Sequence, residues 1–191
     1  TVLVNTFIIG PPNAYGAILD PAVRFVARDS NSDSVFETLY ADSGFVNPGP
    51  LSARRALVVY DLADFAGGDI LVGNAFDEVA MLKFNLYTNN GHHDTMPSDD
   101  HDRDFNIYLY TGNGQSDLND ASQMNNLLVP ITYHNDRDNG KLFEVPITRN
   151  DLVGLFSILD QNSYLGVLLV GKQTHGGSWG PSNWTGQGTG D

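Results

Sequence analysis

The chain divides into short stretches in which apolar and polar positions alternate with period two, separated by turn residues. "TVLVNTFII" (1–9) comes first and stops at Pro11-Pro12, and "AVRFVA" (22–27) and "SVFETLY" (34–40) follow. "RRALVVYDL" (54–62) sets Ala56, Val58, Tyr60 and Leu62 on one face, since successive strand side chains point to opposite sides. "VAMLKFNLYT" (79–88) turns Leu82, Phe84 and Leu86 inward and Lys83, Asn85 and Tyr87 outward, and "DFNIYLYT" (104–111) does the same with Phe105, Ile107 and Leu109. "NLLVPITYH" (126–134) and "KLFEVPIT" (141–148) flank "NDRDNG", whose Asn139-Gly140 is a hairpin signal. "YLGVLLVG" (164–171) is apolar on both faces, the pattern of a central strand covered on both sides.

One stretch has a different period. In "TRNDLVGLFSILD", Leu152, Leu155, Phe156 and Leu159 recur at i, i+3, i+4 and i+7, the stripe of a helix. Thr148, three residues ahead of Asp151, resembles a capping box. The pattern predicts one short helix near 149–159. Nine strands and one helix in a single domain (1–191), with a glycine-rich tail from about 176, predict an all-β fold. Its expected form is an antiparallel two-sheet β-sandwich, jelly-roll-like.

Composition sharpens this picture. Asp outnumbers Glu by 20 to 3, and 20 Gly, 9 Pro and 18 Asn supply the turn residues of short strands. The net charge of −13 repels phosphate backbones and anionic lipid, so no nucleic-acid partner is expected. No apolar run is long enough for a membrane span, so no membrane insertion is expected either. The absence of cysteine removes disulfides, thiolate metal sites and a cysteine nucleophile. The start "TVLVNTF", without methionine, suits a processed or excised fragment that has lost a signal peptide.

At "ARRALVVYDLADFAGGDILVGNAFDEVAMLKFNLY" (53–87) the chain resembles the DNRLRE-type β-sandwich domains of exported bacterial and archaeal proteins. Arg55, Ala56, Leu57, Tyr60, Asp61 and Leu62 match the family's arginine-led strand, and Ala80, Leu82 and Phe84 match its next strand loosely. "FEVPITRNDLVGLF" and "YLGVLLVG" are similar to its later strand, short helix and apolar strand. The tryptophan-rich segment of the family is replaced here by "GQSDLNDASQMNN". The resemblance implies a non-catalytic, carbohydrate-binding or surface module, extracellular or on the cell surface.

Candidate chemistry falls in four places. In "DSNSDS", Asp29, Asn31 and Asp33 have the D-x-[DN]-x-[DN] spacing of a Ca²⁺ loop, and Glu37 falls at the ninth position. Ser34 and Tyr40 stand where an EF-hand needs glycine and glutamate, so a calcium loop of another kind competes with a plain Asx-turn loop. Asp136 and Asp138 of "NDRDNG" are a plausible second contributor. "HHDTMPSDDHDRD" (92–104) reads first as a solvated hairpin loop, then as a Ca²⁺ site of Asp99, Asp100, Asp102 and Asp104. A zinc site of His92, His93 and His101 with Asp94 and Asp102 comes last, because the histidine spacing fits no zinc motif.

Aromatic residues are the candidate glycan surface. Trp179 and Trp184, with His175 and Asn183, could stack on a sugar ring and bind its hydroxyls, or could equally cap the core. Tyr87, Tyr108 and Tyr110, read as outward-facing on two neighbouring strands, could do the same or simply cover a sheet face. Asn183-Trp184-Thr185 is a glycosylation sequon. No G-x-S-x-G elbow occurs, and no carboxylate pair is marked out for glycosidase chemistry. The expected function is a non-catalytic extracellular module that binds a polysaccharide or other glycan, with Ca²⁺ as a candidate stabiliser. The alternative is self-assembly into a surface filament, tube or layer, through strand addition by "TVLVNTFIIG" or calcium-bridged contacts.

Overall fold

A computed structural model describes residues 2–9, 17–31, 33–41, 54–65, 69–86, 103–133 and 140–172. Ten strands lie among them: β1 (Val2–Ile9), β2 (Ala17–Leu19), β3 (Val23–Arg28), β4 (Thr38–Ala41), β5 (Arg54–Asp61), β6 (Glu78–Leu86), β7 (Arg103–Gly112), β8 (Asn126–Tyr133), β9 (Leu142–Thr148) and β10 (Tyr164–Lys172). They form a four-stranded sheet, β2-β1-β6-β9, and a six-stranded sheet, β4-β3-β5-β10-β7-β8. Every pairing is antiparallel. The all-β two-sheet fold is as the sequence predicts, with β2 as an added short strand.

The inner faces meet over one apolar cluster. Ala56, Val58 and Tyr60 of β5, Ile107 and Leu109 of β7, and Leu165, Val167 and Leu169 of β10 supply one side. Ala80, Leu82 and Phe84 of β6 with Val145 and Ile147 of β9 supply the other. A large apolar side chain removed from water in this way contributes about 1.5–3 kcal/mol. The period-two pattern therefore places these residues as read: Leu82 and Phe84 are buried, while Lys83 faces out and pairs with Glu144 on β9.

A second cluster lies on the opposite face of the six-stranded sheet. Phe25 and Ala27 of β3, Leu57 and Val59 of β5, Tyr110 of β7 and Leu168 of β10 pack there under Phe36 and Ala121. Phe36 belongs to the β3–β4 connection, and Ala121 to a 3₁₀ turn, Leu118–Ser122. β5 and β10 are thus covered on both faces, which for β10 is what its apolar run predicts.

Three local expectations are corrected. The helix α1 spans only Arg149–Val153, because Gly154 caps it and the chain turns before the stripe is complete. Leu152, Phe156 and Leu159 are nevertheless buried in the main core. Asn139-Gly140 does not join a hairpin: Gly140 takes the left-handed conformation (φ 77°), yet β8 and β9 belong to different sheets. β6 and β7 also belong to different sheets, so the stretch containing "HHDTMPSDDHDRD" connects the two layers and does not close a hairpin.

The sheet ends are short or interrupted. β2 and β4 have three and four residues, and the outer strands β8 and β9 carry Pro130 and Pro146. A proline offers no N–H to an incoming strand, a common guard on edge strands. β1 lies between β2 and β6 within its own molecule. Among the described residues no helix is long and apolar enough to cross a membrane.

Candidate metal centre and the covered tyrosine face

The β3–β4 pair is a true hairpin, and its connection carries the D-x-[DN]-x-[DN] spacing. Asp29 follows directly on β3 and is buried. Its two carboxylate oxygens accept hydrogen bonds from the backbone N–H of Asn31 (3.2 Å) and of Ser34 (2.8 Å). The Asp33 carboxylate accepts from Val35 N–H at 2.8 Å, and Glu37 reaches back to accept from Ser30 N–H at 2.8 Å. These bonds wind the loop tightly enough to put Ser34 at φ 70°, a left-handed position for a residue with a side chain.

The winding brings one carboxylate oxygen from each of Asp29, Asp33 and Glu37 within 4.8 Å of one another. Asn31 joins the loop differently. Its side-chain oxygen accepts from Asp33 N–H (3.1 Å), and its amide donates to the Asp33 carboxylate (3.2 Å). The loop is an Asx-turn structure and an acidic cluster at once. Three acceptor-only groups so close repel one another, and a hard divalent cation is the chemical partner that such oxygens suit.

The other sequence candidates divide sharply. Asp99, Asp100, Asp102, Asp136, Asp138, His175, Trp179, Asn183, Trp184 and Tyr87 lie outside the described residues, as does His92 with its neighbours His93 and His101. Asp104 belongs to β7 by its backbone, in register with Lys172 of β10.

The tyrosine platform is corrected. Tyr108 and Tyr110 share the outer face of the six-stranded sheet, but Tyr110 is only 2% exposed and Tyr108 is half-buried. β6 and β7 belong to different sheets and are not neighbours, and Tyr87 lies outside the described residues. The Tyr110 ring packs against Gly166 of β10, where an added Cβ would collide with the ring. Its hydroxyl donates to the Asp120 carboxylate at 3.2 Å. Tyr108 instead accepts a hydrogen bond from the Asn106 amide at 2.9 Å.

The 118–122 turn holds this cover in place. Asp117 caps it by accepting Asn119 N–H at 2.8 Å. Arg55 of β5 donates to the Ala121 carbonyl and lies 4.6 Å from the centre of the Phe36 ring. Burial lowers the Arg55 pKa, while Tyr108 and Asp29 act in the opposite direction. Burial likewise raises the Tyr110 hydroxyl well above its ordinary value, and Asp120 adds to it. The covering turn went unread in the sequence because "SDLNDASQ" has no apolar period; its one signal is the Asp117 cap.

Compared with protein-family models, curated proteins and solved structures, the chain matches none of them.

Proposed function

We propose that the chain is a non-catalytic, exported β-sandwich module that takes Ca²⁺ between Asp29, Asp33 and Glu37 and binds glycan at the cell surface. The observation that carries the metal part is the convergence of those three carboxylates on one hairpin connection. The cation would join the end of β3 to the start of β4 and stabilise the edge of the six-stranded sheet. Glycan binding is supported by the resemblance around Arg55–Leu62 and by the Trp179, Trp184, His175 and Asn183 composition of the tail. It gains nothing from Tyr110, which is covered.

Calorimetry with Ca²⁺ and thermal melts with and without a chelator test the metal. Ca²⁺ at about a hundred times its Kd adds about 2.7 kcal/mol to stability. Asp33→Asn, at an exposed position, should abolish that gain while the chain still folds. A melt unchanged by Ca²⁺ removes the cation. A glycan array that includes anionic polysaccharides tests the second part, and a blank array on the Ca²⁺-saturated protein removes it.

A second reading is self-assembly into a surface filament or layer. It is favoured by exposed apolar side chains on and beside α1 and on the turn whose Ala75 carbonyl accepts Asn150 N–H: Phe76 is 83% exposed, Ile158 74% and Val72 69%. Light scattering with and without Ca²⁺ separates the readings, since a monomer under both conditions rules out assembly.

A further inference from the structure

Asp120 is a carboxyl group in an apolar cover, 7% exposed, whose side chain hydrogen-bonds a neutral hydroxyl. No ion pair reaches it among the described residues. The charged and titratable groups around it come from each packed element. β5 brings Arg55, which is engaged by the Ala121 carbonyl and the Phe36 ring. β7 brings Tyr108 and Tyr110, β10 brings Tyr164, and the turn itself brings Asp117. Asp29, at the end of β3, acts on Arg55.

We propose that the 118–122 turn is an acid-closed latch over the tyrosine face, seated while Asp120 is protonated and loosened when it ionises. The turn is held by the Arg55 hydrogen bond, the buried Ala121 and the packing of Leu118, while the Tyr110 hydroxyl, donating to Asp120, offsets part of the cost of its charge. Lifting the turn would bare Tyr110 and Leu168, which it covers.

The direction follows from the charge balance. Burial raises the Asp120 pKa most, the Tyr110 hydrogen bond pulls it back, and Asp117 raises it again, to about 6 against an ordinary 3.8. The closed state therefore binds more protons between these values. Its extra stability is fully present below the lower value and is lost as pH rises through the upper one.

Amide hydrogen exchange at about pH 5 and about pH 7.5, corrected for intrinsic rates, tests the latch. The reporters are the Asp120 and Gln123 amides, which donate to Asp117 and Asp120 carbonyls, compared with Val167 and Leu168 of β10. The protection of the turn relative to β10 should fall about tenfold from the lower to the higher pH. Asp120→Asn should make the ratio flat. Tyr110→Phe, which removes the bond favouring the ionised carboxyl, should move the midpoint to higher pH. A flat wild-type ratio overturns the latch whether or not either variant folds, and so does a slope that survives in Asp120→Asn.

Discussion

At the scale of single residues, Gly166 decides how the outer face is built. Its missing side chain lets Tyr110 cross β10 and reach Asp120, so one hydrogen atom in place of a methyl group admits a whole ring. Gly166→Ala should cost about 1–3 kcal/mol in urea unfolding, the usual range for overpacking. In a Tyr110→Ala background the same change should cost close to nothing, because the obstructing ring is gone. Equal costs in both backgrounds would show that Gly166 matters for its backbone instead. None of this was legible from sequence: a tyrosine at an alternate strand position reads as outward when the core is assumed to lie on one side. Asp29, Asp33 and Glu37 were legible, since their spacing alone named a loop that folds its oxygens together.

At the scale of elements, α1 shows which local signals hold. Thr148 accepts from Asp151 N–H at 3.4 Å, and the Asp151 carboxylate accepts from Thr148 N–H at 2.8 Å, the reciprocal pair that the sequence advertised. Thr148→Ala should cost about 1 kcal/mol, read as a lowered urea midpoint with unchanged slope. No change would mean that α1 is held by its contacts with the core alone. The helix stops early because the apolar stripe needs only to reach the core, and a turn after Gly154 delivers Phe156 and Leu159 as well as a helix would. The Asn139-Gly140 signal failed for a related reason. A left-handed glycine describes a bend, and which strand receives the chain afterwards is settled by packing: β9 finds β6, aligning Phe143 with Phe84 and Lys83 with Glu144.

At the scale of the whole molecule, a net charge of −13 on 191 residues opposes compaction. Monovalent salt should therefore raise the melting temperature gradually between about 10 and 200 mM, as the Debye length shortens from about 30 Å to below 10 Å. Any Ca²⁺ effect should saturate at far lower concentration and survive in that salt. If sodium chloride at equal ionic strength reproduces the Ca²⁺ effect, the cation acts only by screening. The class of fold was legible because period-two alternation or a short apolar run between turn residues marks nine of the ten described strands. The second cluster was only half legible, since β10 shows apolar residues on both faces while the alternation Ala56, Val58, Tyr60, Leu62 names a single inner face for β5.

The position of β10 has a consequence for how the chain is made. β10 is the last of the described strands in sequence, yet it lies between β5 and β7. Until Tyr164–Lys172 arrives, the six-stranded sheet is two separate ribbons with their inner edges open. Synthesis from the N-terminus thus yields a chain that cannot close this core until β10 has been made. A chain ending after Asn162 should lack a cooperative unfolding transition, and finding one would show that the ribbons close without the last strand. Before that strand arrives, the inner edges of β5 and β7 stand unpaired, the state in which such a chain is most open to pairing with another copy.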